Sequence, residues 1–180
     1  MYTSKKYLVS PWIIETCSTF LTTHSLGNRG VEDGTFDQQL TGLIGEYIVY
    51  YHLKGHKPDL SQKNDGFDGG IDIVHNKVRI DVKTMGRNSY VKGEYVNNFY
   101  VMQQKYDCDV LVFCSYHKSE KVIEICGWIH KKELPQKGIF YKAGTKRLRN
   151  NGTSFIFRQD NYEVKNQDLK VIDTLKIKNY

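Results

Sequence analysis

Apolar side chains recur along this chain with two periods, and the change from one to the other marks out most of its elements. Ile13, Ile14, Cys17, Phe20 and Leu21 fall on one face of a helix. Ser10 and Pro11 open it as N-cap and first helical residue, and it ends before Gly27. A second helix is predicted from Asp37, as N-cap, to Leu53, with Leu40, Leu43, Ile44, Tyr47, Ile48 and Tyr51 at helical spacing. Residues 27–36 and 61–70 are loop by composition. The period then shortens to two. Ile71–His75 and Val78–Thr84 alternate and join through Asn76-Lys77, which predicts a hairpin. Residues 94–106 read as a helix, Asp109–Tyr116 as a buried strand and Lys121–Ile129 as its hairpin partner. Lys131–Leu134 reads as a helical turn, Phe155–Arg158 and Tyr162–Val164 as weaker strands, and Asn166–Leu175 as a closing helix.

A length of 180 residues with 39% hydrophobic side chains fits one domain with a core of its own. No apolar run approaches the roughly 18 residues of a membrane span. Lys5, Lys6 and Pro11 interrupt the N-terminal stretch, so it lacks the apolar stretch of a signal peptide. A soluble, cytoplasmic protein is expected. Cys17, Cys108, Cys114 and Cys126 have no zinc-ligand spacing, and Cys114 and Cys126 lie in strand-like runs, so buried free thiols in a reducing compartment are the reading. His52 and His56 have the spacing of two helix-borne metal ligands, but Gly55 and Pro58 end the helix there and no third ligand is evident.

The net charge of +6 says little until it is divided. Residues 1–90 carry 10 basic and 10 acidic side chains, and residues 91–180 carry 16 and 10. The excess concentrates in 131–158, where Lys131, Lys132, Lys137, Lys142, Lys146, Arg147, Arg149 and Arg158 face only Glu133. Phe140, Tyr141, Phe155 and Phe157 lie among them. Cations interleaved with flat rings suit a phosphate backbone with its bases and sugars, although a solvated lysine-rich face would read the same way. Lys131, Lys132, Lys142, Lys146, Arg147 and Arg149 are the candidate nucleic-acid contacts. The first half, neutral in sum, holds an acidic group of Asp65, Asp68, Asp72 and Asp81.

A two-residue turn at Asn76-Lys77 places Asp72 across from Asp81, Ile73 across from Ile80 and Ile71 across from Val82. One face then carries the four aliphatic residues, and the other carries Asp72, Asp81 and Lys83. Carboxylates facing each other on neighbouring strands repel. A cation between them removes the conflict, and oxygen ligands suit Mg²⁺ or Mn²⁺. Lys83 points the same way, where it would orient a water or offset developing negative charge. Glu46 is the one Asp, Glu, Lys or Arg between Gln38 and Leu53. It lies about 120° from the centre of the apolar stripe, among Gly42, Val49, Tyr50 and Leu53. A metal or Lys83 would keep it ionised there.

Gly42, Gly45 and Glu46 on a helix, Gly69 to Asp72 (GGID), and a strand ending Ile80 to Thr84 (IDVKT) together resemble the PD-(D/E)xK nuclease superfamily over roughly residues 37–130. The element order helix, strand, strand, helix, strand is similar to its common core. The resemblance implies an α/β, restriction-endonuclease-like domain with a central mixed sheet flanked by helices. Residues 1–36 would form an N-terminal helix and loop, 37–130 the catalytic core and 131–180 a basic extension. It implies metal binding by Asp72 and Asp81, with the Val82 carbonyl as a further ligand, Lys83 as catalytic lysine and Glu46 as the helix-borne acid. No Pro-Asp dipeptide precedes the metal aspartate, and Asp68 competes for its role. Gln103 and Lys105 stand where some members place a further polar residue. The expected activity is Mg²⁺- or Mn²⁺-dependent hydrolysis of DNA phosphodiesters. A Holliday-junction resolvase, acting as a homodimer, and a non-cleaving DNA-binding module on the same fold are the alternatives.

Overall fold

A computed structural model of the chain describes residues 2–24, 26, 34–63, 69–149 and 152–175. A short strand β1 (Lys5–Leu8) precedes the first helix, α1 (Pro11–Thr23), whose N-cap Ser10 accepts a hydrogen bond from the Ile13 N–H. The second helix, α2 (Phe36–Lys54), begins one residue before the expected N-cap Asp37. Thr35 takes that role because it closes a capping box. Its side chain accepts from the Gln38 N–H, while the Gln38 side chain accepts from the Thr35 N–H at 2.9 Å. Asp37 falls in the first turn, where a negative charge suits the helix dipole.

The strands β2 (Ile73–His75), β3 (Val78–Arg87), β4 (Val96–Tyr100), β5 (Val110–His117) and β6 (Val122–His130) follow. A five-stranded sheet of order β1-β6-β5-β3-β2 is built from them, with β3 and β5 parallel and the other neighbours antiparallel. After a short helix α3 (Leu134–Lys137) come β7 (Ile139–Tyr141), β8 (Lys146–Leu148), β9 (Ser154–Ile156) and β10 (Asn161–Lys165). β4, β10 and β7 make a second, three-stranded sheet, and β8 and β9 a separate two-stranded ribbon. The protein is therefore mixed α/β.

Two segments depart from the sequence reading. The helix expected at 94–106 is β4 followed by a 3-10 turn at Val101–Lys105. The closing helix expected at Asn166–Leu175 is two 3-10 turns, Asn166–Asp168 and Ile172–Thr174. Between those turns the chain runs extended and pairs Lys170 with Trp128 through two backbone hydrogen bonds of 2.8 Å.

Both faces of the main sheet are buried. On one, Cys17 and Phe20 of α1 and Leu43, Ile44, Tyr47 and Ile48 of α2 pack on Ile80, Val82, Val110, Val112, Ile123 and Ile125. On the other, Leu111, Phe113 and Ile129 meet Phe99 of β4, Val164 of β10 and Leu134 of α3. The long helices thus cover one face, and the second sheet stands where a flanking helix was expected. A bulge resets the alternation of β6, so that Trp128 joins the core of Ile125 and Ile129 the opposite one. Phe113 pairs with Gly127 but Cys114 with Ile125, so Cys126 is an extra residue and turns to the face opposite Ile125. No helix among the described residues is long and apolar enough to cross a membrane.

Candidate active site

The β2–β3 hairpin has the expected turn and register. Asn76 and Lys77 both adopt positive φ, 46° and 68°, as a two-residue hairpin turn requires. Ile73 pairs with Ile80, Val74 with Arg79 and His75 with Val78. β2 begins only at Ile73, so Asp72 stands just ahead of the ladder. Its N–H donates to the Ile80 carbonyl at 2.9 Å, and its carboxylate Oδ2 accepts from the Val82 N–H at 2.6 Å. Asp72 is therefore anchored to the peptide that joins Asp81 to Val82.

Asp81 is 2% exposed, and its Oδ1 lies 2.7 Å from Lys83 Nζ. The other oxygen, Oδ2, is buried with no hydrogen-bond partner. Leaving a buried acceptor unpaired costs on the order of 1–3 kcal/mol, more for a charged group, so this atom has unused capacity for a proton donor or a cation. Asp81 and Lys83 are in parallel register with Leu111 and Phe113, which places them on the sheet face turned away from the helices. Burial, reinforced by Asp81 and opposed by Lys131 and Lys83, pushes the Cys108 thiol up to about 11. Cys108 thus lies within electrostatic reach of Asp81, Lys83 and Lys131 alike. Lys131 Nζ donates to the Tyr106 carbonyl. The Tyr106 ring packs on Gly70, where an added Cβ would come within 2.9 Å of it.

Glu46 is held from the helix side. It is 7% exposed, and its Oε2 lies 2.7 Å from Lys63 Nζ, not beside Lys83. Burial, with Glu46 next in weight, pushes the Cys17 thiol up to about 12. The preceding residue explains how α2 approaches β3 so closely: a Cβ on Gly45 would sit 1.8 Å from Thr84 Oγ1. Sequence reasoning missed Lys63, whose only signal was its position just before the acidic loop. Asp65 and Asp68 lie outside the described residues. Among the described residues, no group of three or more His, Cys, Asp or Glu side chains is placed to hold a metal ion. Asp72 and Asp81 are close through the Val82 peptide, and the unpartnered Asp81 oxygen fits a hard cation that takes oxygen ligands. Glu46 is not gathered with them.

Other expected residues have structural partners. His52 bridges elements, with Nδ1 2.6 Å from Tyr7 Oη and Nε2 3.1 Å from Asp173 Oδ1. His56 Nδ1 lies 3.1 Å from the Lys57 carbonyl. Gln103 is largely buried on the 3-10 turn, and Lys105 Nζ lies 5.5 Å over the Tyr106 ring. Within the basic region, Arg147 Nε donates to Glu163 Oε2 at 2.6 Å, and Glu163 is 3% exposed. Arg149 lies 4.6 Å over the Phe155 ring. Lys132, Lys142 and Lys146 are exposed. Lys137 and Lys170 flank Glu133 at 3.4 and 2.9 Å.

Compared with known proteins, the chain matches no family model, no curated protein and no solved structure.

Proposed function

We propose that the protein is a divalent-metal-dependent DNA endonuclease with a restriction-endonuclease-like core. The reading rests on one observation above the others: a buried aspartate, Asp81, with one oxygen on Lys83 and the other without a partner. Local topology supports it, because an antiparallel hairpin leads to a strand parallel to its second arm. Asp72 and Asp81 would hold Mg²⁺ or Mn²⁺, which supplies charge neutralisation and a more acidic water at the scissile phosphate. Lys83 is held in place by Asp81 and is the group that offsets negative charge developing on the phosphate oxygens. Val82 fixes Asp72 through its N–H, in addition to the carbonyl role expected from the motif. Glu46, bound to Lys63 in the helix layer, stands apart from this carboxylate pair. Lys132, Lys142, Lys146 and Arg149 provide cationic surface for the backbone, with Lys131 nearer the carboxylates.

The test is nicking of supercoiled plasmid, linear duplex and four-way-junction DNA with Mg²⁺ or Mn²⁺ titrated. Asp81→Asn and Lys83→Met should retain the wild-type circular dichroism spectrum and lose cleavage. Wild-type rates in either variant would overturn the assignment. A second reading, a DNA-binding module that does not cut, is favoured by the pairing of Glu46 with Lys63 away from Asp81. Calorimetry separates the two: binding of Mn²⁺ that Asp81→Asn abolishes belongs to the nuclease alone.

A further inference from the structure

Away from the carboxylates, the start of α2, the end of β4 and the β9 strand enclose a cleft of about 670 Å³. That volume is within the about 300–1,000 Å³ of small-molecule sites. Carboxamides are the commonest polar groups on its wall: Gln38, Gln39, Asn98, Gln103, Gln159 and Asn161. Part of that capacity is committed. Gln38 closes the α2 capping box, and Asn161 donates its amide to Asn98 Oδ1 at 3.0 Å. Asn161 is 0% exposed, and its own Oδ1 is buried without a partner. Gln103 is 9% exposed and still reaches the cleft. Flat surfaces come from Tyr100, which is half exposed, and from Phe155. Arg158 supplies positive charge, and among the described residues no carboxylate lines the space.

Each feature selects on the ligand. A carboxamide sets a donor and an acceptor side by side, the pattern displayed by the edge of a nucleobase. Aromatic faces stack on base rings of any sequence. The Arg158 guanidinium, with no lining carboxylate among the described residues, favours an anion, and Lys146, paired across the β8–β9 ribbon with the lining residue Ile156, extends that charge to the outside. We propose that this cleft takes one unpaired nucleobase of a DNA strand. Tyr100 and Phe155 stack on it, Gln103 and Gln159 bond its edge, and Arg158 and Lys146 hold the adjoining phosphates. A base inside duplex DNA is held by stacking and pairing, so the substrate class is DNA carrying an unpaired or extruded base. The proposal rests on the nucleic-acid reading above, and it does not depend on the carboxylate chemistry.

Fluorescence anisotropy on the full chain, without divalent cations, tests it with two short labelled strands of equal charge, one of deoxyadenosines and one abasic throughout. The wild-type protein should bind the base-bearing strand about tenfold more tightly. Gln103→Leu should remove most of that difference, and Gln159→Leu should do the same, so that a folding defect at the more buried site does not decide the matter. Arg158→Gln should weaken both strands alike. Equal affinity of the wild type for the two strands, or an undiminished difference in both leucine variants, overturns the cleft and leaves the nuclease reading standing. Failure to bind either strand or a duplex overturns both.

Discussion

Two glycines three residues apart on α2 should respond to alanine with opposite signs. Gly42 has nothing within 4 Å of where a Cβ would stand, so Gly42→Ala gains helix propensity alone. The gain is about 1 kcal/mol. At Gly45 the same gain meets Thr84, whose Oγ1, Cβ and Cγ2 would lie 1.8, 3.0 and 3.2 Å from the new carbon. Rotating the threonine exchanges one clash for another, because all of its side-chain carbons are in range. Overpacking of this kind costs about 1–3 kcal/mol or more, and the 1.8 Å approach argues for the upper end. A net loss of about 2 kcal/mol is therefore expected for Gly45→Ala, which separates the two variants by about 3 kcal/mol. In thermal unfolding this is a fall of about 4–8 °C at Gly45 against a rise of about 2–4 °C at Gly42. Thr84→Ala placed in the Gly45→Ala background should recover part of the loss, giving a coupling energy of about 1 kcal/mol or more. Urea denaturation with fixed m-values provides the free energies. If both alanines stabilise, or if the Thr84 substitution adds to the Gly45 loss with no coupling, the close helix–strand approach is wrong.

Acid should weaken the fold from near neutrality. Burial, outweighing the attraction of Asp173, holds His52 below its ordinary 6.5, and burial likewise lowers His75 and His130. The unfolded chain takes up these protons near pH 6.5 and the folded chain only at lower pH, so stability present above 6.5 is lost as pH falls below it. A urea midpoint that drops between pH 7.5 and 5.5 and drops less in His52→Gln checks this, and an unchanged midpoint refutes it. Within the basic region, Arg147→Ala should destabilise by roughly 1–3 kcal/mol because it strands the buried Glu163 carboxylate. Lys146→Ala should leave stability alone and reduce the slope of log affinity for DNA against log salt by about one.

The hairpin, and the placement of the candidate residues on it, were legible because local rules decide them. Asn76 tolerates positive φ, the alternation on either side sets the register, and Asp72, Asp81 and Lys83 follow from that register. The two misread segments share a different cause. Asn97 is fully buried in β4, where it donates to Asn166 Oδ1 at 2.7 Å, and Asn166 is fully buried in the segment read as the closing helix. Asn166 in turn donates to the Lys92 carbonyl at 2.8 Å. Each asparagine is polar in sequence and core in structure, so each breaks the apolar period that would have marked an extended chain. Charge was legible by region but not by function: Arg147 and Lys131 counted as surface cations, yet one neutralises Glu163 and the other bonds the Tyr106 carbonyl. The amide cleft gave no sequence signal, since its walls come from positions 38, 39, 98, 103, 159 and 161, which only the tertiary fold assembles.

The division of the interior into two cores has a consequence for how the protein can be observed. All four cysteines are buried and unpaired. Cys17 and Cys114 belong to the core under the helices, and Cys108 and Cys126 to the core under the second sheet. Each layer thus contains its own pair of natural reporters, and thiol labelling becomes a clock with two hands. A reagent reaches the first pair when the helices lift and the second when the opposite face of the main sheet is uncovered, which for Cys126 includes the wall of Tyr2, Gln167 and Leu169 around it. Wild-type protein, with no introduced probe, can therefore tell whether its two halves open together or one at a time.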